Sequence, residues 1–413
     1  MLSFNHIILP GSEKNLLRKE LALAFAHKGF AVSQVRPEHL HAPGHEHSLP
    51  TLLDKGRSLI VSINGAGLDS LKTTLPLLKN AGGAAAIWFV DNPWNVLSGF
   101  REPQWREVPL FVTDRSFIPD LQRHGAKSVY FLPLATCPET MKTKTPAPPL
   151  HEGLAPLVFV GRSAFPGKEH YFAGQSVPPD ILAQAVSLMG PASSLAPFCS
   201  LKNPHDAVPG HRPDFDWWLK HLGMDAAPTS LWPGKKNRKP AFGAETCSLY
   251  WRGAVLDAAA SAAKTLFSLP NATPALDIFG DSGWQEALPA YSRLHQPVDY
   301  YTRLASIYSH ARYSIAITSL QLPAGLNQRH FDVWMAGGLC LSDATPGLAI
   351  FPQELVNPIR FSGLDTLQKT LETLENKINR PTLIHDWQSH LCAHHTYEHR
   401  VEELLIFLEQ TRT

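Results

Sequence analysis

Short apolar runs alternate with amphipathic stretches through the first 140 residues. Asn5–Leu9, Ala31–Val35 and Leu59–Ile63 read as strands, followed by Leu110–Thr113 and Val129–Leu132. Ala85–Val90 is apolar without interruption, the pattern of a strand covered on both faces in a parallel sheet. Between these runs, Leu16–Lys28 sets Leu17, Leu21 and Ala24 or Phe25 on one helical face, and Asp69–Asn80 and Ile118–His124 supply two further helices. Alternation on this scale predicts an α/β domain with a doubly wound parallel sheet.

Lys142 to Pro156 has four prolines and no period, and reads as a linker. Leu157–Val160 then opens a second domain and ends in Gly161. Residues 190–245 are less regular and read as an elaborated loop or a helical insertion; Lys235, Lys236, Arg238 and Lys239 in "PGKKNRKP" would contact a phosphate or, as expected, lie in a solvated loop. Beyond them the alternation resumes. Ser248–Phe267, Tyr300–Ser309 and Arg329–Ala336 read as helices; Ala275–Phe279, which runs into Gly280, Tyr313–Thr318 and Leu339–Ser342 read as strands. Gln388–Gln410 forms one or two helices with Val401, Leu404, Leu405 and Leu408 on one face. The expected division is an N-terminal domain over 1–145, a second domain over 157–385 and terminal helices over 386–413.

Length agrees with this, since 413 residues exceed what one core normally holds. Basic residues number 37 and acidic 36, so the surplus of positive charge typical of a duplex nucleic-acid binder is missing. The five cysteines are scattered, as in reduced cytoplasmic proteins. Met1–Pro10 lacks a basic segment ahead of an apolar stretch, so no signal peptide is expected. The longest apolar run, Ala84–Val90, is far short of the roughly 20 residues of a membrane span. "LPGSEKN" after the first strand contains only Gly11, which disfavours a dinucleotide-binding dehydrogenase. Phosphate-binding P-loop and serine-hydrolase elbow motifs are likewise missing from the sequence.

Three polar clusters fall at the ends of expected strands. "GLNQRHFDVWMAGGLCLSD", Gly325–Asp343, follows a strand and opens a helix. Backbone amides at Gly325 and Leu326 and the helix start would suit a diphosphate, with Arg329 and Asn327 donating to it. Asp332, about one turn on, would accept from ribose hydroxyls, and Gly337 and Gly338 would permit close packing. The same residues also suit an ordinary strand–helix–strand unit. In "FVGRSAFPGK", Gly161, Arg162 and Lys168 lie at a carboxyl edge where α/β ligands bind, as does Gly280. In "WFVDNPW", Asp91 would face an acceptor hydroxyl or act as a base, or Asp91 and Asn92 would simply cap the next turn; Asn64 in "SINGAG" has the same placement. His39, His41, His45 and His47 crowd one loop, and His390, His394, His395 and His399 share helical spacings. Neither group has a recognised zinc spacing, so no metal is expected.

Tyr300–Asp343 resembles the C-terminal domain of the spore maturation protein CgeB-like glycosyltransferases. The shared features are the "YxxLxxIYxxA" helix, "GLNQRHFDVWMAGG" and "LSD". "HTYEHR", His395–Arg400, is similar to the "HTYxxR" that closes such domains, and "WFVDNPW" and "VYFLPLATCPE" resemble the domain that precedes it. The resemblance touches most of the chain outside 165–245. It implies a GT-B fold, two facing Rossmann-like domains with an interdomain cleft. It also implies transfer of a sugar from a UDP-, GDP- or dTDP-linked donor without a metal or cofactor, by the retaining route. The acceptor would be a polysaccharide, a lipid-linked glycan or a surface protein. Of the Glu-x7-Glu pair of that class, the second acid falls on Asp332 and the first position is Ala324. The diphosphate-holding basic pair falls on Arg162 and Lys168, spaced one residue wider than usual. Arg329 and Asp91 are the expected catalytic side chains. The alternatives are an epimerase on the same fold and a non-catalytic nucleotide-sugar binder.

Overall fold

The computed structural model describes residues 4–12, 16–68, 70–97, 100, 103–141, 153–164 and 235–411, with side chains in the last stretch from residue 243. They divide into two compact units. The first comprises the described residues up to Cys137 and those from His394 onward; the second runs from Pro138 to Ala393.

The first unit is built on β1 (His6–Pro10), α1 (Arg18–His27), β2 (Ala31–Val35), α2 (Pro37–Leu40) and α3 (Leu49–Leu53). β3 (Ser58–Ile63), α4 (Leu71–Asn80), β4 (Ala84–Phe89), α5 (Pro93–Leu97), β5 (Leu110–Val112), α6 (Ile118–Arg123) and β6 (Val129–Phe131) follow. The six strands form one sheet in the order β2-β1-β3-β4-β5-β6, every pair parallel. Ile7, Ile8, Leu59, Ile60, Ile87 and Trp88 are fully buried, as the uninterrupted apolar runs require.

In the second unit, α7 (Pro138–Met141) precedes β7 (Leu157–Val160) and α8 (Lys235–Leu266). β8 (Leu276–Phe279), β9 (Ser292–His295), α9 (Leu304–His310), β10 (Tyr313–Ala316), α10 (Arg329–Met335) and β11 (Cys340–Asp343) come next. α11 (Gln353–Val356), β12 (Arg360–Phe361), α12 (Leu364–Asn376) and α13 (Arg380–His394) complete it. Its sheet is again six-stranded and parallel, in the order β12-β11-β10-β7-β8-β9. The chain lays β7, β8 and β9 in one direction and then crosses back to place β10 on the other side of β7. The strand order therefore reverses at the β7–β10 boundary, the place where open α/β sheets leave a crevice at their carboxyl ends.

Of the two readings of 190–245, an elaborated loop or a helical insertion, residues 235–245 take the helical one and form the first turns of α8. Further along α8, the Ala-rich positions from 254 to 263 favour a helix, and Val255, Leu256, Ala259, Ala260 and Ala263 are fully buried. The earlier part of that stretch, 190–234, lies outside the described residues.

The final helix α14 (Tyr397–Gln410) belongs to the first unit. "HTYEHR" is what attaches it. Thr396 and His399 form a capping box at its start. The backbone of His395 and Tyr397 pairs with Thr136, and the buried Arg400 guanidinium donates to the Pro133 carbonyl at 2.9 Å and to Glu403 at 2.9 Å. The two motifs "FLPLAT" and "HTYEHR" thus bind one another. No helix among the described residues is long and apolar enough to cross a membrane.

Candidate active site

β7 ends in Gly161 and β8 in Gly280, and the two backbones nearly touch. A methyl group on Gly280 would lie 2.5 Å from the Gly161 carbonyl oxygen. Trp284 Nε1 donates to that same oxygen at 2.8 Å. Beyond β7 the chain is held by Asp281, which accepts from Ser163 N at 3.1 Å and from its hydroxyl. Arg252, on α8, donates to the carbonyls of Arg162 at 3.0 Å, Ser163 and Ser248. Burial pushes the Arg252 guanidinium down to about 10, so it still carries its charge at neutral pH.

Arg329 opens α10, beyond β10, and its guanidinium reaches across to β7. It lies 4.8 Å from the centre of the Phe159 ring, a cation–π contact, and Nη2 is 2.6 Å from where a Gly161 Cβ would stand. The side chain therefore sits at the strand-order reversal itself. Its Nε is buried without a hydrogen-bond partner, and no carboxylate pairs with it among the described residues. Burial lowers its pKa, which is the mark of a charge taken out of water. Tyr308 and Cys340, buried nearby, are both raised by the same cause and stay neutral at pH 7. The second positive group electrostatically coupled to Arg329 is Arg252.

The rest of the Gly325–Asp343 cluster is built differently from the expectation. Asn327 Oδ1 accepts from Arg329 N at 3.1 Å, and its amide donates to the Ile317 carbonyl at 3.2 Å. The N–H groups of His330, Phe331 and Asp332 are bonded back to the carbonyls of Asn327 and Gln328. The amides of Arg329, His330, Phe331 and Asp332 are thus occupied from within the turn, and the positive charge offered here is that of Arg329. Asp332 is 1% exposed, with one oxygen accepting from Tyr300 Oη at 2.6 Å and the other from Gln328 Nε2 at 2.9 Å. Gly325 and Leu326 are buried, the first with its carbonyl accepting from Thr345 Oγ1 at 2.9 Å.

Gly337 lies at the far end of the same helix. With φ +85° it terminates α10 at the end away from Arg329, its N–H bonded to the Trp334 carbonyl and that of Gly338 to Val333. Arg162 is exposed, and Lys168 lies outside the described residues. Composition and periodicity do not mark Arg252, Ser163, Asp281 or Tyr300. Their buried polar contacts are made across tens of residues, which no local pattern reveals.

In the first unit, the structure joins two residues that sequence reading could only place separately. Asn64 Nδ2 donates to Asp91 Oδ2 at 2.8 Å, and Asn64 Oδ1 accepts from Val90 N at 3.0 Å. Asn64 holds φ +50°, which Asn tolerates better than most residues. Asp91 is exposed at the carboxyl ends of β3 and β4. Asn92 is 2% exposed and accepts from Trp94 N at 2.9 Å, which caps the turn into α5.

The histidine groups behave in opposite ways. His395 and His399 are tied into the "HTYEHR" contacts, the first to Arg400 and the second to Thr396. His39, His45 and His47 converge.

Residues 254–406 match the family model described as Glycosyl transferase-like. No curated protein matches the chain. Among solved structures, the chain is similar to the Burkholderia xenovorans α,α-trehalose-phosphate synthase (UDP-forming) in complex with glucose-6-phosphate. The identity is 11% over 98% of this chain and 100% of that one, with a TM-score of 0.46. It is similar to Anabaena HepE in complex with UDP-glucose at 9% identity over 98% and 99%, TM-score 0.45. It is also similar to an E. coli structure described as trehalose-6-phosphate bound with UDP-2-fluoro glucose at 10% identity over 97% and 98%, TM-score 0.44.

Proposed function

We propose that this protein is a glycosyltransferase whose second unit binds a nucleoside-diphosphate sugar with the diphosphate against Arg329. The observation that carries the reading is the state of that side chain: buried, charged, its Nε without a partner, and set at the strand-order reversal beside two close glycines. A buried cation left unpaired costs several kcal/mol, and an arriving phosphate removes the cost. The family match over 254–406 supplies the reaction class.

In the reaction, the bond between the anomeric carbon and the β-phosphate oxygen breaks, and its electron pair leaves with the nucleoside diphosphate. The acceptor hydroxyl forms the new bond and gives up its proton. Charge grows on the diphosphate as the bond lengthens, and a guanidinium fixed in advance stabilises that charge without reorganising. Arg252 holds the loop after β7 in place through its carbonyls. The Asn64–Asp91 pair is the proposed acceptor group of the first unit, Asp91 taking the proton. The sugar is UDP-, GDP- or dTDP-linked, transfer retains configuration, and the relationship is to the CgeB-like group. A cytoplasmic location is part of the same proposal.

Arg329→Ala tests it. Donor binding measured by calorimetry and transfer measured by product formation should both fall at least tenfold, about 1.4 kcal/mol. A folded variant that binds and turns over the donor as the natural protein does would refute the assignment.

A further inference from the structure

We infer that His39, His45 and His47 form a binding site for a zinc-class divalent transition ion. This site is separate from Arg329, and the inference does not rest on the glycosyltransferase reading.

The loop from α2 to α3 is folded by successive turns. Ala42 N bonds to the His39 carbonyl at 3.2 Å, His45 N to Ala42 at 3.3 Å and Ser48 N to His45 at 2.8 Å. Buried Leu40 and Leu49 anchor its two sides. Gly44, at φ +72°, provides the reversal that brings His45 back over His39. The imidazoles are stacked as a result: the ring centres of His39 and His45 are 4.1 Å apart, and those of His45 and His47 are 5.6 Å apart. One ligand nitrogen from each of the three lies within 4.8 Å of the others.

Three imidazoles packed together make a nitrogen-rich site, with the Glu46 carboxylate 3.8 Å from His47 Nδ1 as the nearby negative charge. Among the described residues, neither ring nitrogen of His39 bonds a protein group, while His45 Nδ1 accepts from the His47 N–H at 3.0 Å. Three histidines with water in a fourth position are a known zinc coordination, with nitrogen about 2.0–2.1 Å from the ion. That geometry sets the nitrogens roughly 3.4 Å apart, so rotation of half-buried side chains is enough to reach it. A neutral imidazole has one lone pair, so ligation by His45 uses the pair that now accepts from His47. Nitrogen ligands also rank Cu2+ and Ni2+ with Zn2+.

The ion would lock the 37–48 loop beside the segment after β3, to which His41 Nε2 is already bonded at the Gly67 carbonyl, 3.2 Å. That segment begins at Asn64.

The test uses the full chain and Zn2+ alone, titrated in competition with a chromogenic chelator. One ion should bind with micromolar or tighter affinity. His39→Ala, His45→Ala and His47→Ala should each weaken it at least tenfold, while exposed His385→Ala leaves it unchanged. Independently of any variant, Co2+ added to the natural protein should develop the visible absorption of tetrahedral nitrogen coordination. Binding that His45→Ala leaves intact, no binding at micromolar Zn2+, or an octahedral Co2+ spectrum would each overturn the site.

Discussion

Arg329 Nη2 occupies the place where a side chain on Gly161 would begin, 2.6 Å from its ideal Cβ. That contact is with the far end of a flexible side chain and the next, the Phe159 ring at 3.0 Å, needs a shift of only a few tenths of an ångström, so Gly161→Ala should leave the fold in place and push the guanidinium aside. Donor affinity is expected to fall about tenfold, or 1.4 kcal/mol, with a change in urea midpoint equivalent to about 1 kcal/mol or less. Gly280→Ala is the opposite case. Its methyl would meet the Gly161 carbonyl and the Trp284 ring at 2.5 and 2.6 Å. Neither yields readily, so stability should fall by about 1–3 kcal/mol. Urea unfolding and calorimetry together separate the two outcomes.

The Asn64–Asp91 contact leads to a different split. Asp91→Asn keeps the size of the side chain and removes the charge. Turnover should fall by about a hundredfold, within the usual range for a lost general base, while the donor dissociation constant stays where it was. Rapid-quench transfer and direct donor titration measure the two. A loss of donor affinity equal to the loss of turnover would count against an acceptor-side role.

Arg400 is a matter of stability. Its guanidinium serves the carbonyls of Pro133 and Leu134 together with Glu403. Arg400→Ala leaves buried acceptors without donors and should cost about 3 kcal/mol or more. Arg400→Lys should recover little of this, because an ammonium cannot reproduce the planar fork. Chemical denaturation gives the comparison.

His6 makes stability fall as the solution becomes acidic. It is 1% exposed, bonded to Ser58 and Ser33 at 2.8 Å each, and burial, helped by the charge of Lys55, lowers its pKa. Above the ordinary imidazole value near 6.5, both folded and unfolded chains hold it neutral, and its contribution is complete. As pH drops from 6.5 toward the lower folded value, the unfolded chain takes up a proton that the folded one refuses, and stability is lost. His6→Gln should remove that part of the slope. Parallel urea titrations between pH 7.5 and 5 would show two curves converging; parallel curves would contradict it.

The sheet cores were legible because buried parallel strands are apolar along their whole length: Leu157–Val160 has the bounds read from sequence, and so does the edge strand Ala31–Val35, although its Ser33 and Gln34 are polar. β9 escaped notice for a physical reason. Its sequence, "SRLH", has no apolar run, and its Arg293 and His295 are satisfied by Asp277 on the neighbouring strand. β12 is only two residues long. α12 carries Leu367, Leu371 and Leu374 on its buried side, a spacing that would have disclosed it. At the site, Arg329 and the glycines were visible as residue types at strand ends. The occupancy of the amides by Asn327 and Gln328, and the support from Arg252, depend on which hydrogen bonds the tertiary structure closes.

Because α14 is part of the first unit, the described residues of that unit come from two separated passages of the chain. A ribosome delivers its sheet early and the helix bearing Arg400 only after everything from Pro138 to Ala393 has emerged, a delay on the order of ten to fifty seconds. Throughout that interval the Pro133 and Leu134 carbonyls wait for their donor. Until then the first unit's sheet stands without that helix, while the passage that forms the second unit has already been made.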